Sequence, residues 1–447
     1  MPVEARIESD YTLKLAGELI EPAPIFRRNS AAYKQDGSMV TVDSPRFETG
    51  KFSQGVMVEE GTTNLLSDNQ ASVETDLTGL AAWDAGTTLS RDTVEHWHGS
   101  ASLKVVTNGS VAFQGFRTSS IDVTASLTYT ASAWLKGAGN LRLAIEERNS
   151  SDNAIGNTIA NFALPDDGQW HRYTVTKAFG ATGVKARLIV ITNNLAQALT
   201  FYADGMQIEQ KSYATSWTLP SYPRVAEVMT IPTAGIFVKS NWTAELTFRP
   251  TSKQNVVDNV LWSCYIDANN YYELTTTTAG YLQGKVLSNG TAYTITGAAA
   301  LAEGTDYSIM FSGNGSVLRL CMNGAQIGSD LSYVEPVGTL PANMYLGSNS
   351  SGANQADGIL DNVRVTTRGR TVSEHQTWWN SGSPSAFAVD ADTTLLIPFD
   401  NNLNIGLPFR LYSDGNLRVP KYVEYAGFSL NQNHELTTYA LQEGVAL

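Results

Sequence analysis

A two-residue alternation of apolar and polar positions runs through most of the chain. Tyr129, Ala131, Ala133 and Leu135 fall on one side of an extended segment, and Thr130, Ser132, Trp134 and Lys136 on the other. Leu141, Leu143 and Ile145 alternate in the same way with Arg142, Ala144 and Glu146. Gly137-Ala138-Gly139-Asn140 lies between the two as a turn, which predicts that they pair as a hairpin. Val184 to Ile191 reads as a longer strand with Lys185 and Arg187 on one side. Further on, Trp242, Ala244, Leu246 and Phe248 alternate with Thr243, Glu245, Thr247 and Arg249. Leu318, Leu320 and Met322 run into Asn323-Gly324, a strong hairpin signal. Short strands separated by turn residues at about ten-residue intervals are the pattern of a β-sandwich.

The same pattern divides the chain. Phe201 to Trp217 opens as an aromatic and aliphatic strand, breaks at Asp204-Gly205, and leaves through Ser212, Thr215 and Ser216 toward Pro220. That sequence of strand, turn and exit closes one β unit. The expected fold class is all-β: two tandem β-sandwich (jelly-roll) domains with an N-terminal attachment segment and a short C-terminal tail. Residues 1–61 are too poor in periodic apolar positions to build a core, and are expected to pack on another protein or a neighbouring copy. Residues 62–220 form the first jelly roll. Residues 221–234, bracketed by Pro220, Pro223 and Pro232, form a linker. Residues 235–400 form the second sandwich, with Ser373 as a candidate cap for a late helical turn, and residues 401–447 the tail with an edge strand from Arg418 to Tyr425.

Composition narrows the function. Charged residues are only 16% of the 447, against the usual ~25%, and Thr, Ser, Asn and Gly fill the deficit, which suits sheets and turns. A net charge of −13 argues against a general nucleic-acid binder and against docking on an anionic membrane. No apolar run approaches the ~20 residues of a membrane span, and Met1 to Asp10 show no basic-then-apolar secretory signal. Cys264 and Cys321 fit neither a zinc motif nor a disulfide scaffold, and read as two buried thiols, with a bridge between neighbouring strands as the alternative.

The chemistry of catalysis is sparse. The chain has no Gly-x-Ser-x-Gly elbow, no His-Glu-x-x-His helix and no phosphate loop. The carboxylate pairs Glu59-Glu60, Glu146-Glu147 and Asp166-Asp167 are adjacent in sequence, so on strands their members point to opposite faces and none is a ready acid/base pair. No catalytic residue is assigned, and the chain is expected not to be an enzyme. His96 and His98 share a face at i, i+2 but lack a third metal ligand. Sugar binding needs flat aromatic faces beside polar groups. Trp134, on the polar side of its strand, is the leading candidate, with Arg142 and Glu146 from the expected partner strand beside it; Trp83 and Trp97, in loops, are further candidates. Trp242 and Trp262 are expected in the second core.

Four segments carry a resemblance. Phe201 to Trp217 resembles the last strand and exit of carbohydrate-binding-module-like jelly rolls found in bacteriophage virion proteins, and Pro45 to Leu66 resembles the segment that precedes them. The Asn323-Gly324 hairpin and Asp361 to His375 resemble the laminin-G-like, concanavalin-A-like sandwich. The resemblance implies a virion structural protein of the tail, fibre or collar, assembled in the host cytoplasm. It implies display of glycan-binding domains to a host-surface glycan, with other virion proteins and further copies of the chain as partners and no membrane insertion. A purely architectural spacer is the alternative, and a polysaccharide depolymerase or hydrolase the second. The first family also implies a possible structural calcium, with Asp204 at the matching end of the last strand; no other cofactor is expected.

Overall fold

The computed structural model describes residues 24–251 and 257–399, with two further short strands at Arg410–Leu411 and Leu417–Arg418. It is all-β, built from antiparallel sheets packed as two sandwiches. The edge strand expected from Arg418 to Tyr425 lies outside the described residues, apart from its first position.

In the first sandwich, one sheet has the order His171–Ala178, Thr128–Gly137, Thr200–Glu209, Ser102–Thr107, Thr87–Asp92. Its outer face meets the second sandwich, and it is called the junction sheet. The other, the outer sheet, has the order Ala154–Leu164, Gly139–Arg148, Lys185–Thr192, Gly115–Thr118, Leu80–Ala82, with Ile121–Asp122 beside Lys185–Thr192. Ala131, Ala133 and Leu135 from the first sheet and Leu141, Leu143, Ile145, Leu188 and Val190 from the second are fully buried in one core.

The hairpin expected across Gly137–Asn140 does not form. Thr128–Gly137 pairs with His171–Ala178 and Thr200–Glu209, whereas Gly139–Arg148 pairs with Ala154–Leu164 and Lys185–Thr192. Each segment has one apolar face. Turning the chain through a corner, rather than a hairpin, sets those two faces against each other and buries both. Gly137 and Gly139 make that corner at φ +130° and +123°, and a Cβ on Gly137 would stand 2.9 Å from the Thr200 carbonyl oxygen.

The N-terminal residues also depart from expectation. Ile25–Arg27 pairs with Val228–Pro232 at the edge of one sheet of the second sandwich, and Ser53–Val58 pairs with Gly358–Thr366 inside the other. Arg46–Gly50 follows Ser53–Val58 as the outermost strand there. The expected attachment segment therefore supplies strands to the second sandwich, and the expected linker contains one. The physical reason is apolar area: Phe26, Val56, Val58, Met229 and Ile231, sparse in sequence, all join the aromatic core of Phe237, Trp242, Trp262, Tyr272 and Phe311. The first sandwich is thus an insertion, and its two ends meet where Thr62 bridges Arg224.

A buried charge network closes that seam. Arg46 donates to Glu59 at 2.8 Å and to Glu227 at 2.6 and 2.8 Å; Arg28 donates to Glu227 at 2.7 Å. Arg224 lies 3.5 Å from Glu59. Burial pushes the Glu59 carboxyl up, but Arg224, Arg46 and a hydrogen bond from Ser216 outweigh it and hold it at about 2.

The late helix, Val372–Trp379, is capped by Thr371 rather than Ser373: Thr371 Oγ1 accepts from the Glu374 N–H, and Glu374 reaches back to the Thr371 N–H. Cys264 and Cys321 are free and buried, on strands of different sheets, and burial pushes both thiols up to about 12.

Candidate functional site

The candidate sugar residues fall into two groups on opposite sheets. Trp83, Arg142 and Glu146 belong to the outer sheet; Trp134 and Trp97 belong to the seam side of the junction sheet. Arg142 and Glu146 were expected beside Trp134, and the corner at Gly137–Gly139 is what separates them.

On the outer sheet, the strand register lays out a grid. The core residues Leu141, Leu143 and Ile145 fix which way Gly139–Arg148 faces, so Arg142, Ala144 and Glu146 project away from the core. One row across the sheet runs Trp83, Gly115, Ile191, Arg142, Asn161. The next runs Ala81, Arg117, Ile189, Ala144, Ile159, and a third holds Arg187, Glu146 and Asn157. Trp83 is tied to its row by its N–H, which donates to the Gly115 carbonyl at 2.7 Å. Gly115 is glycine for a packing reason: a Cβ there would lie 2.3 Å from the Val190 carbonyl oxygen.

This face has an apolar floor and polar edges. Ala144, Ile189 and Ile191, with Trp83 against them, form an apolar cluster separate from the sandwich core. The Arg117 guanidinium lies 5.5 Å from the Trp83 ring, and that of Arg142 lies 4.6 Å from the ring of Phe113. Asn157, Ile159, Asn161, Val111 and Phe113 are exposed around it. At one end Glu146 pairs with Arg148 and lies 3.7 Å from Arg187. The Arg142 and Arg187 Nε atoms are sealed from solvent with no acceptor. At ~4.8 Å between strands, the face spans roughly 19 Å from the Trp83 strand to the Asn161 strand.

Sequence reasoning missed Arg117, Ile189, Ile191 and the asparagines of Ala154–Leu164. The alternation of Ala160, Phe162 and Leu164 with Ile159, Asn161 and Ala163 was a usable signal for them.

The other group is enclosed. Trp97 and Trp134 stack with ring centres 4.7 Å apart and 14° between planes, and Trp217 meets Trp97 edge-on at 5.5 Å. Trp97 is buried and its Nε1–H donates to the Gln35 carbonyl at 3.1 Å. His98 packs against Tyr33 and Trp217, its Nδ1 3.0 Å from the Gly37 carbonyl oxygen, whereas His96 is exposed.

Asp204 organises this side. Its Oδ2 accepts from the N–H groups of Trp97 and His98 at 2.9 Å, and its Oδ1 from the Gly205 N–H at 2.7 Å. These three N–H donors, rather than a metal ion, are the partners the chain itself gives Asp204. Among the described residues, no three His, Cys, Asp or Glu side chains gather as a metal-binding group. Burial pushes the Asp204 carboxyl up to about 7, against the pull of the three N–H donors.

Comparison with known proteins bears on the second sandwich most directly. Residues 225–374 match the family described as the concanavalin A-like lectin/glucanases superfamily. No curated protein sequence matches the chain. Among solved structures, the CBM22-1–GH10 modules of Clostridium thermocellum xylanase 10B, complexed with xylohexaose, align at 16% identity and TM-score 0.28, over 34% of this chain and 29% of that one. The CBM22-1 xylan-binding domain of Paenibacillus barcinonensis Xyn10C aligns at 18% identity and TM-score 0.26, over 34% of this chain and 96% of that one. The enzymatically active domain of bacteriophage CBA120 tailspike protein 4 aligns at 14% identity and TM-score 0.27, over 32% of this chain and 21% of that one. At these scores the structural likenesses carry no functional weight.

Proposed function

We propose that this protein is a non-catalytic glycan-binding protein whose first sandwich holds an oligosaccharide across the outer sheet. The observation that carries this reading is the row Trp83, Gly115, Ile191, Arg142, Asn161: a half-buried indole over an apolar floor, continued by hydrogen-bonding side chains to the exposed Asn161. An indole face takes the C–H side of a sugar ring, while guanidinium and amide groups take its hydroxyls. The decisive experiment is glycan-array binding of the full chain followed by titration of the best oligosaccharide. Trp83→Ala is expected to weaken that binding about tenfold or more, the loss of roughly 1.4 kcal/mol. Unchanged binding by Trp83→Ala sinks the assignment of this face.

The setting we propose is a bacteriophage virion, in the tail, fibre or collar, with several copies displayed so that weak sites act together on a host-surface glycan. The likeness of Pro45 to Leu66 and of Phe201 to Trp217 to segments of virion proteins supports it. Antibody labelling of purified particles tests it, and absence of the chain from them removes this setting while leaving glycan binding intact.

A further inference from the structure

A cavity of about 240 Å³ lies between the junction sheet and the second sandwich. Trp134 and Arg172 enter it from neighbouring strands, directly opposite each other in the register. Trp97 and Trp217 wall it from the loops, Met57 and Glu59 from the second sandwich, and Gln35 is an exposed lining residue.

Two donors in these walls have no acceptor. Trp134 Nε1 and Arg172 Nε are each sealed from solvent and unpartnered. A buried donor left in this state costs ~1–3 kcal/mol, so the cavity favours a guest that accepts hydrogen bonds. Among the described residues Arg172 also has no carboxylate in direct contact; Glu209 and Glu59 act on it only from farther off. Its Nη2 makes one hydrogen bond, to Ser132 Oγ at 2.9 Å. The carboxylate in the cavity wall, Glu59, is already held by Arg46 and Arg224, at 2.8 and 3.5 Å. Lys34 adds a second positive charge to the lining. In a chain of net charge −13, the lining thus brings two cations without a directly paired carboxylate beside three indoles.

We infer that this cavity binds one acidic sugar unit, a hexuronate. Its carboxylate accepts from Arg172 and from the Trp134 N–H, and its ring lies against the indole walls. The site is independent of the outer-sheet face, since no residue is shared between them.

The test is calorimetric titration of the full chain with glucuronate, with glucose and acetate as controls. Saturable one-site binding of glucuronate, at least tenfold tighter than either control, is expected. Arg172→Met and Trp134→Phe should each weaken it tenfold or more, and Trp83→Ala should leave it unchanged. Trp134→Phe keeps an aromatic ring and removes only the indole donor and its second ring, so it decides the matter if Arg172→Met fails to fold. Equal binding of glucose and glucuronate, wild-type affinity in Trp134→Phe, or no binding by any of the three ligands would overturn the inference; the last outcome leaves a cavity that holds water alone. Loss of oligosaccharide binding in Trp83→Ala with glucuronate binding intact separates this site from the outer-sheet face.

Discussion

Both oxygens of Asp204 accept N–H donors from the chain around them, and that fixes what a substitution would do. In Asp204→Asn the amide can serve Trp97 and His98 with its oxygen, but its NH₂ then faces the Gly205 N–H. A loss of ~1–3 kcal/mol is expected, read as a lower midpoint in urea unfolding. Gly205 is tied to the same arrangement. It sits at φ +51°, and a Cβ there would lie 2.6 Å from the Trp97 ring and 2.8 Å from that of Trp134. Gly205→Ala should therefore part the stacked indoles, visible as a changed near-ultraviolet circular dichroism spectrum in a protein whose far-ultraviolet spectrum is unaltered. From the sequence, Asp-Gly at this place reads as a turn. What the aspartate holds was not legible, because Trp97 and His98 lie more than a hundred residues away and nothing local to Asp204 points to them.

Among the elements, strand identity was readable and strand partnership was not. The period-two pattern located Thr128–Gly137, Gly139–Arg148 and Trp242–Pro250, and the apolar run Leu188 to Ile191 located Lys185–Thr192. Which strand lies beside which depends on where the chain turns a corner. Two glycines around one alanine satisfy a hairpin and a sheet-to-sheet corner equally well. That ambiguity moved Arg142 and Glu146 to the wrong neighbour and left Trp134 without the partners assigned to it. The register makes its own prediction at Gly115, where a Cβ would strike the Val190 carbonyl and the Ile191 Cα. Gly115→Val should push the Trp83 strand off the outer sheet and reduce oligosaccharide binding, with thermal unfolding midpoint lowered as well.

At the scale of the whole molecule, the insertion is the governing feature. Strands from before and after the first sandwich complete the second, and the ends of the insertion meet at Thr62 and Arg224. Replacing residues 62–220 by a short flexible linker should leave a second sandwich that unfolds in one cooperative step, because no long loop has to be closed. Deleting residues 1–60 should instead leave it unfolded or aggregated, since the inner strand Ser53–Val58, two edge strands and the core residues Phe26, Val56 and Val58 go with them. Acid should attack the seam. The Glu59 carboxyl is held at about 2 in the folded protein, below its ordinary 4.5, so between those values the unfolded chain binds more protons. Its contribution, on the order of 3 kcal/mol, is complete above pH 4.5 and falls away as the pH drops toward 2. Urea midpoints measured across that range should decline, and Glu59→Gln should flatten the decline.

The sequence by itself determined the all-β class, the strands and the two cores, because alternation and turn residues act over a few positions and are written locally. Only the tertiary structure decided that one sandwich is threaded into the other, which sheet carries Trp83 and which carries Trp134, and that Asp204 binds a loop. Those outcomes depend on contacts between residues far apart in the chain, where apolar area and charge are satisfied by partners that no local pattern names.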